Sequence, residues 1–89
     1  MAKSIHVSIV SAEREVWSGE ATQISAKTKI GEIGILAGHE PVLATLAEGT
    51  VRVTTTDGGR VEVSAPEGFL SFDHDTATVI TRDAVLVGA

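Results

Sequence analysis

The sequence predicts an all-β fold, a sandwich or barrel, on three observations. Short runs alternate apolar and polar residues, β-branched residues fill those runs, and turn signals recur about every ten residues. Ile5-His6-Val7-Ser8-Ile9 alternates as a half-buried strand does and sets His6 on the solvent side. Ser18-Gly19 reads as a turn, and so does Glu48-Gly49. Pro41 to Glu48 admits two readings. Pro41 at a first helical position and Gly49 as a stop allow two helical turns. A strand entering the Glu48-Gly49 turn is the preferred reading, because Val51-Arg52-Val53-Thr54 follows at once and needs a neighbour to pair with. Asp57-Gly58-Gly59 then marks a hairpin into Val61-Glu62-Val63-Ser64-Ala65. Asp73-His74-Asp75 separates residues 69–72 from Ala77-Thr78-Val79, whose alternation Ile80 breaks. Residues 84–89 form an apolar run, where a chain end is usually polar. It suggests either a shortened chain or a partner packed there.

Length and composition set the frame. Eighty-nine residues make one domain, 1–89, with no internal repeat or linker. A domain of this size buries about 60–65% of its unfolded surface, so the core is modest. There is no cysteine, hence no disulfide or thiolate metal site. The net charge is −5, and the seven Lys and Arg residues form no run, which disfavours nucleic acid and anionic membrane surfaces. Trp17, Phe69 and Phe72 are the aromatics, too few for a base-stacking platform. No secretory h-region and no membrane-crossing apolar window is visible, so a soluble, unexported chain without direct membrane insertion is expected.

The residues for catalysis do not assemble in sequence. His6 and His74 read as ordinary surface histidines, neither beside a plausible nucleophile. His6, His39 and His74 with Asp73 and Asp75 include no pair at the short spacing of a metal site. Gly31-Glu32-Ile33-Gly34 lacks both phosphate-binding glycine patterns. No cofactor, metal or catalytic residue is therefore assigned.

The stretch from Gly31 to Gly49 is apolar, broken by glycines, and carries few polar residues: Glu32, His39, Glu40, Thr45 and Glu48. Read in order with Val10-Ser11-Ala12-Glu13, Trp17-Ser18-Gly19-Glu20 and the strand from Gly49 to Val53, it resembles the N-terminal domain of the epsilon subunit of the F-type ATP synthase. Gly31-Glu32-Ile33-Gly34-Ile35-Leu36 followed by Gly38-His39-Glu40-Pro41 is the specific part of the likeness, which runs over essentially all 89 residues. Three departures stand out. Ala37 takes the place of the family's usual Pro. Ala65-Pro66-Glu67-Gly68 replaces a more usual Ser-Gly-Gly, which puts Pro66 at a strand end or edge. The helical hairpin that family members carry after the sandwich is absent from these residues, so its inhibitory and ATP-binding roles are not assigned.

The resemblance implies a flattened ten-stranded β-sandwich in the rotor's central stalk. It would bind the gamma subunit and the c-ring, help couple proton translocation to ATP synthesis, and catalyse nothing itself. The expected location is the cytoplasmic face of a bacterial cell membrane, as a peripheral complex subunit, or the organelle-encoded equivalent. The isolated domain is expected to be monomeric or weakly self-associating. Glu32, His39, Lys29 and Glu40 are the candidate contacts to the c-ring; Ser11, His39 and Ala44 are those to gamma. Glycines at 31, 34 and 38 are read as permitting tight turns and positive φ, with Ile33, Ile35 and Leu36 anchoring the loop and Glu32, His39 and Glu40 projecting outward. A well-desolvated acidic contact to arginines on the ring's polar loops would contribute about 1.5–3 kcal/mol, and below about 1 kcal/mol at a wet rim.

Trp17 reads as core, a large anchor in a thin sandwich. Alternation puts Leu70 and Phe72 on one face and Phe69 on the other, so one of those faces is apolar and exposed. The alternative function is a small β-barrel module that binds a small ligand or a peptide. A minor enzyme using His39 and Glu40 is the weakest reading.

Overall fold

The computed structural model describes residues 4–12 and 14–88. Glu13 of the family-like opening, residues 1–3 and the terminal Ala89 lie outside them. The described residues form nine strands and no helix. They are β1 (Ile5–Val10), β2 (Glu15–Thr28), β3 (Gly31–Leu36), β4 (Val42–Leu46), β5 (Gly49–Thr55), β6 (Arg60–Ala65), β7 (Gly68–Asp73), β8 (Thr76–Thr81) and β9 (Val85–Gly88).

Strand pairing resolves into two layers that share β2. Sheet one runs β4-β7-β8-β1 and ends on the first half of β2; its β1–β8 pair is parallel. Sheet two runs from β3 through the second half of β2 to β5, β6 and β9, all antiparallel. Counted once in each sheet, β2 makes five strands per layer. The all-β sandwich expected from the sequence is present, with nine strands among the described residues rather than ten, because one continuous β2 serves both layers.

A bulge lets β2 serve both layers. Pairing with β5 shifts register between Ala21 and Gln23, where Thr22 donates to the Thr54 carbonyl at 3.3 Å. One inserted residue flips the side-chain phase. Before it Trp17, Gly19 and Ala21 are the more buried set; after it Ile24, Ala26 and Thr28 are. Trp17 packs against the core as expected. Its ring lies so close to Gly19 that a Cβ there would stand 2.9 Å from Cζ2. That contact corrects the Ser18-Gly19 turn: both residues lie within β2, opposite Ser8 and Val7, and the glycine makes room for an aromatic ring.

The buried core is aliphatic apart from Phe72. Ile5, Val7 and Ile9 of β1, Leu70 and Phe72 of β7, and Ala77 and Val79 of β8 meet Ile24, Ile35, Val51, Val53, Val61 and Val63 from the other layer. Each buried Val, Leu, Ile or Phe side chain contributes about 1.5–3 kcal/mol by leaving water, and Ala77 less. The two buried threonines are satisfied: Thr28 donates to the Gly31 carbonyl at 2.6 Å, and Thr81 accepts from the Asp83 amide at 3.3 Å.

Four local readings change. Residues 42–46 are a strand, but β4 pairs with β7 and touches β2 only at Thr28–Leu46; it does not pair with β5. The Ala47 amide donates to Lys27 and sends the chain across to the other sheet. Gly31–Leu36 is a strand, with positive φ at Gly31 and Gly38 only; Gly34 sits inside β3 opposite Ser25. Ile35 is buried and Ile33 packs on the core, whereas Leu36 falls on the outward phase and is exposed. Ile80 continues β8 without disturbing its alternation, as an apolar residue at an outward position.

Candidate functional site

Two hairpin-like ends hold the residues that the sequence singled out. At the end of β3 the chain turns through Ala37 and Gly38 to Pro41, and His39 and Glu40 are both exposed there. This turn is braced from four directions. The His39 amide donates to the Leu36 carbonyl at 3.1 Å. The His39 ring donates from Nδ1 to the Glu40 carbonyl at 2.7 Å, which leaves Nε2 as the acceptor of the neutral ring. That ring also meets the buried Phe72 edge-on, with centroids 6.0 Å apart and planes at 89°. Finally, the Gly38 amide donates to Oδ1 of Asp75 at 2.8 Å, a residue from the β7–β8 hairpin.

The other end carries Lys29 and Glu32, about five strand intervals away along β3, on the order of 17 Å. The Lys29 amide donates to the Thr45 carbonyl at 3.0 Å, which ties the β2–β3 turn to β4. Its ammonium reaches Glu67 at 2.7 Å and holds that carboxyl below the usual glutamate range. Glu32 lies 3.6 Å from Arg52, both side chains more than half exposed. Ile30, at the tip, is 99% exposed.

The structure therefore divides the candidates. Lys29, Glu32 and Ala44 line one groove of about 510 Å³ between β3 and β4, with Leu43 at its rim. His39 and Glu40 lie at the far end of β3. Ser11 sits in the β1–β2 connection, where its hydroxyl donates to the Arg14 carbonyl at 3.1 Å. Ser11, His39 and Ala44 do not converge on one another.

The apolar exposed face that alternation implied lies on the Phe69 side of β7, and Leu43 and Ile80 extend it. Strand register places Thr45 beside Phe69, Phe69 beside Ile80, and Ile80 beside Val10, all on the outward side of sheet one. Leu43, two residues before Thr45, shares that side and is 79% exposed; Phe69 and Ile80 are each about half exposed. A second groove of about 450 Å³ runs along Phe69, Ile80 and Arg82. Phe69 was recognised as facing away from Leu70 and Phe72, which are buried. The break in alternation at Ile80 was the available signal, since an apolar residue on an outward position extends a patch rather than ending a strand. His6 and His74 lie on the surface, paired with Glu20 at 2.9 Å and Asp73 at 3.0 Å. Among the described residues, no cluster of three metal-ligating side chains is present, and no helix is long and apolar enough to cross a membrane.

Comparison with known proteins gives this surface a context. Residues 4–87 match the family described as ATP synthase, Delta/Epsilon chain, beta-sandwich domain. The ATP synthase epsilon chain of Micrococcus luteus is 52% identical over 82 residues, covering 92% of this chain and 90% of that one. The epsilon chain of Streptomyces coelicolor is 44% identical over 86 residues, covering 97% and 69%. Among solved structures, a chain of the Euglena gracilis mitochondrial ATP synthase, OSCP/F1/c-ring, superposes with a TM-score of 0.88 at 25% identity over 93% of this chain. This chain spans about half, 53%, of that one. A chain of the Tetrahymena thermophila mitochondrial ATP synthase central stalk and c-ring shares the fold, with a TM-score of 0.77 at 16% identity. The chain belongs to the ATP synthase delta/epsilon family, as the β-sandwich domain of its non-catalytic epsilon-type subunit.

Proposed function

We infer that this domain is a rotor-stalk spacer that is gripped on two surfaces, by gamma along the outer face of sheet one and by the c-ring at the turns flanking β3. It would sit at the cytoplasmic face of a membrane, as part of the peripheral complex, and help transmit proton-driven rotation. The observation that carries the reading is the outward row of Leu43, Phe69 and Ile80 on a sheet whose inner face is already fully packed. Apolar side chains arranged side by side on a flat sheet suit a protein surface. Lys29, Glu32, His39 and Glu40 are assigned to the ring, and Ser11, His39 and Ala44 to gamma, although Ala44 lies opposite buried Leu70, on the side of β4 away from the outward Leu43. Glu32 supports this assignment by being more than half exposed, with only a 3.6 Å pairing to Arg52 to surrender.

The two grooves also fit the size range of ligand pockets, roughly 300–1,000 Å³, which supports a second reading as a small-ligand or peptide module. Binding of Glu32→Lys to membranes carrying the c-ring and gamma separates the two. The rotor reading expects weaker assembly with an unchanged unfolding midpoint. Undiminished binding would remove Glu32 from the ring contact. Calorimetry with ATP is expected to give no saturable heat.

A further inference from the structure

The turn that carries His39 and Glu40 does not stand by itself. Gly38 has φ +87°, a conformation that glycine tolerates, and nothing lies within 4 Å of where a Cβ would be. That conformation turns the Gly38 amide toward Asp75, 37 residues later, whose Oδ1 accepts it at 2.8 Å. Asp75 is itself unusual. It and His74 occupy the two corner positions of the β7–β8 hairpin with φ 57° and 51°, left-handed values that a side chain adopts at a cost. An Asn-Gly pair fits such a corner better. The Asp75 backbone is also fixed, because its carbonyl accepts the His6 amide at 2.9 Å where β1 and β8 begin to pair. The carboxylate thus hangs from a rigid corner of sheet one and grips a turn that leaves sheet two.

We propose that Asp75 is a positioning residue for ring docking: its carboxylate holds the Ala37–Gly38 turn so that His39 and Glu40 are presented in one orientation. The proposal rests on the assignment of His39 and Glu40 to the docking surface. Asp75 need touch no partner; it acts through Gly38. Residues at a docking turn that is fixed beforehand lose less freedom on binding, so a preset turn binds more tightly than a loose one.

The corner geometry supplies a test that separates positioning from folding. Asp75→Gly keeps the left-handed corner, relieves its strain and removes the acceptor. Asp75→Asn keeps an Oδ1 acceptor and a residue type that tolerates the corner. Glu40→Ala, which removes none of the four braces of the turn, reports on the docking assignment, whereas His39→Ala also removes the ring contacts to the Glu40 carbonyl and Phe72. Three quantities are read on the 89-residue chain: amide exchange at Gly38, the urea midpoint, and Kd for vesicles that carry the c-ring and gamma but no epsilon subunit. Asp75→Gly is expected to speed Gly38 exchange about tenfold and weaken docking about tenfold, with the urea midpoint unchanged or raised. Asp75→Asn is expected to restore both exchange and docking. Wild-type docking by Asp75→Gly, while Glu40→Ala docks weakly, would overturn the positioning role and leave the docking assignment standing. Docking by Asp75→Asn as weak as that of Asp75→Gly would also overturn it, because charge rather than hydrogen-bonded position would then matter. Wild-type docking by His39→Ala together with Glu40→Ala would overturn the docking assignment and the role of Asp75 in it; Gly38 exchange would still report the hydrogen bond by itself.

Discussion

On sheet one, the outward positions of β4, β7 and β8 carry Leu43, Phe69 and Ile80; on sheet two, those of β2, β5 and β6 carry Lys27, Arg52 and Glu62. Both layers use the same alternation to bury one face. Their other faces differ in what they meet. On sheet two, register sets Lys27 opposite Glu32 and Arg52 opposite Glu62, so charges of opposite sign neighbour each other and water satisfies the rest. On sheet one, register sets Phe69 beside Ile80, and the described residues leave each about half exposed. The centre of sheet two is thus finished by its own residues, although Leu36 of β3 and Val85, Leu86 and Val87 of β9 are exposed at its margins, whereas the proposed stalk role leaves the sheet-one row to a partner. Under the proposed stalk role, that difference favours sheet one as the side offered to gamma.

The most direct way to break this comparison is to give sheet one the chemistry of sheet two. Phe69→Glu is expected to lower affinity for gamma by about 100-fold or more, close to 2.7 kcal/mol. Phe69 is 54% exposed, so stability should move by less than about 0.5 kcal/mol. Affinity within about threefold of wild type, measured by calorimetry with isolated gamma, would show that gamma does not use this row.

A second substitution attacks the row from beneath. Gly68 opens β7 opposite Thr81, and a Cβ there would stand 2.1 Å from the Ile80 carbonyl oxygen and 2.9 Å from the Thr81 Cα. Both obstacles are backbone and cannot swing aside. Gly68→Ala should therefore destabilise the domain by about 2–3 kcal/mol in urea titration, as β7 and β8 are forced apart next to Phe69 and Ile80. An unchanged midpoint would mean that the hairpin is looser than this close approach implies. Arg52→Ser, on the finished face, is the matched control. Its effect is expected to stay within about 0.5 kcal/mol of stability, with gamma affinity unaltered.

How far the sequence disclosed these features depends on the range over which each is encoded. Alternation is local, so β1, β5, β6 and β8 were readable, as were the turns at Asp57-Gly58-Gly59 and Asp73-His74-Asp75. Exposure of Glu32, His39 and Glu40 was readable for the same reason. Pairing is not local. Nothing within residues 41–48 says that β4 will choose β7 over the adjacent β5. A glycine is equally ambiguous: Gly19 serves an aromatic ring, Gly34 a strand interior and Gly38 a turn. Only the structure brings Asp75 to Gly38, so the support of the candidate turn was out of sight even though its residues were not.

The margins of the two faces respond to acid, with the smallest effect expected. Three exposed carboxyls sit below their ordinary range. The Lys29 ammonium lowers Glu67, hydrogen bonds from His6 and then Ser4 lower Glu20, and the Thr55 hydroxyl followed by the Gly59 amide lowers Asp57. A carboxyl whose folded value is depressed binds a proton more readily in the unfolded chain. Its contribution is therefore complete above the unfolded value, about 4.3 for Glu and 3.9 for Asp, and is lost as pH falls through the lower folded value. Glu67→Gln should thus be slightly less stable than wild type near neutrality, and the gap should close on acidification as the wild-type carboxyl is protonated and its pairing with Lys29 is lost. Urea midpoints of the two chains between about pH 7 and pH 3 test this. A gap that widened below about pH 4 would mean that Lys29 does not hold Glu67 charged, and the bridge linking the β2–β3 turn to the β6–β7 connection would then contribute nothing to the rim of the apolar grooves.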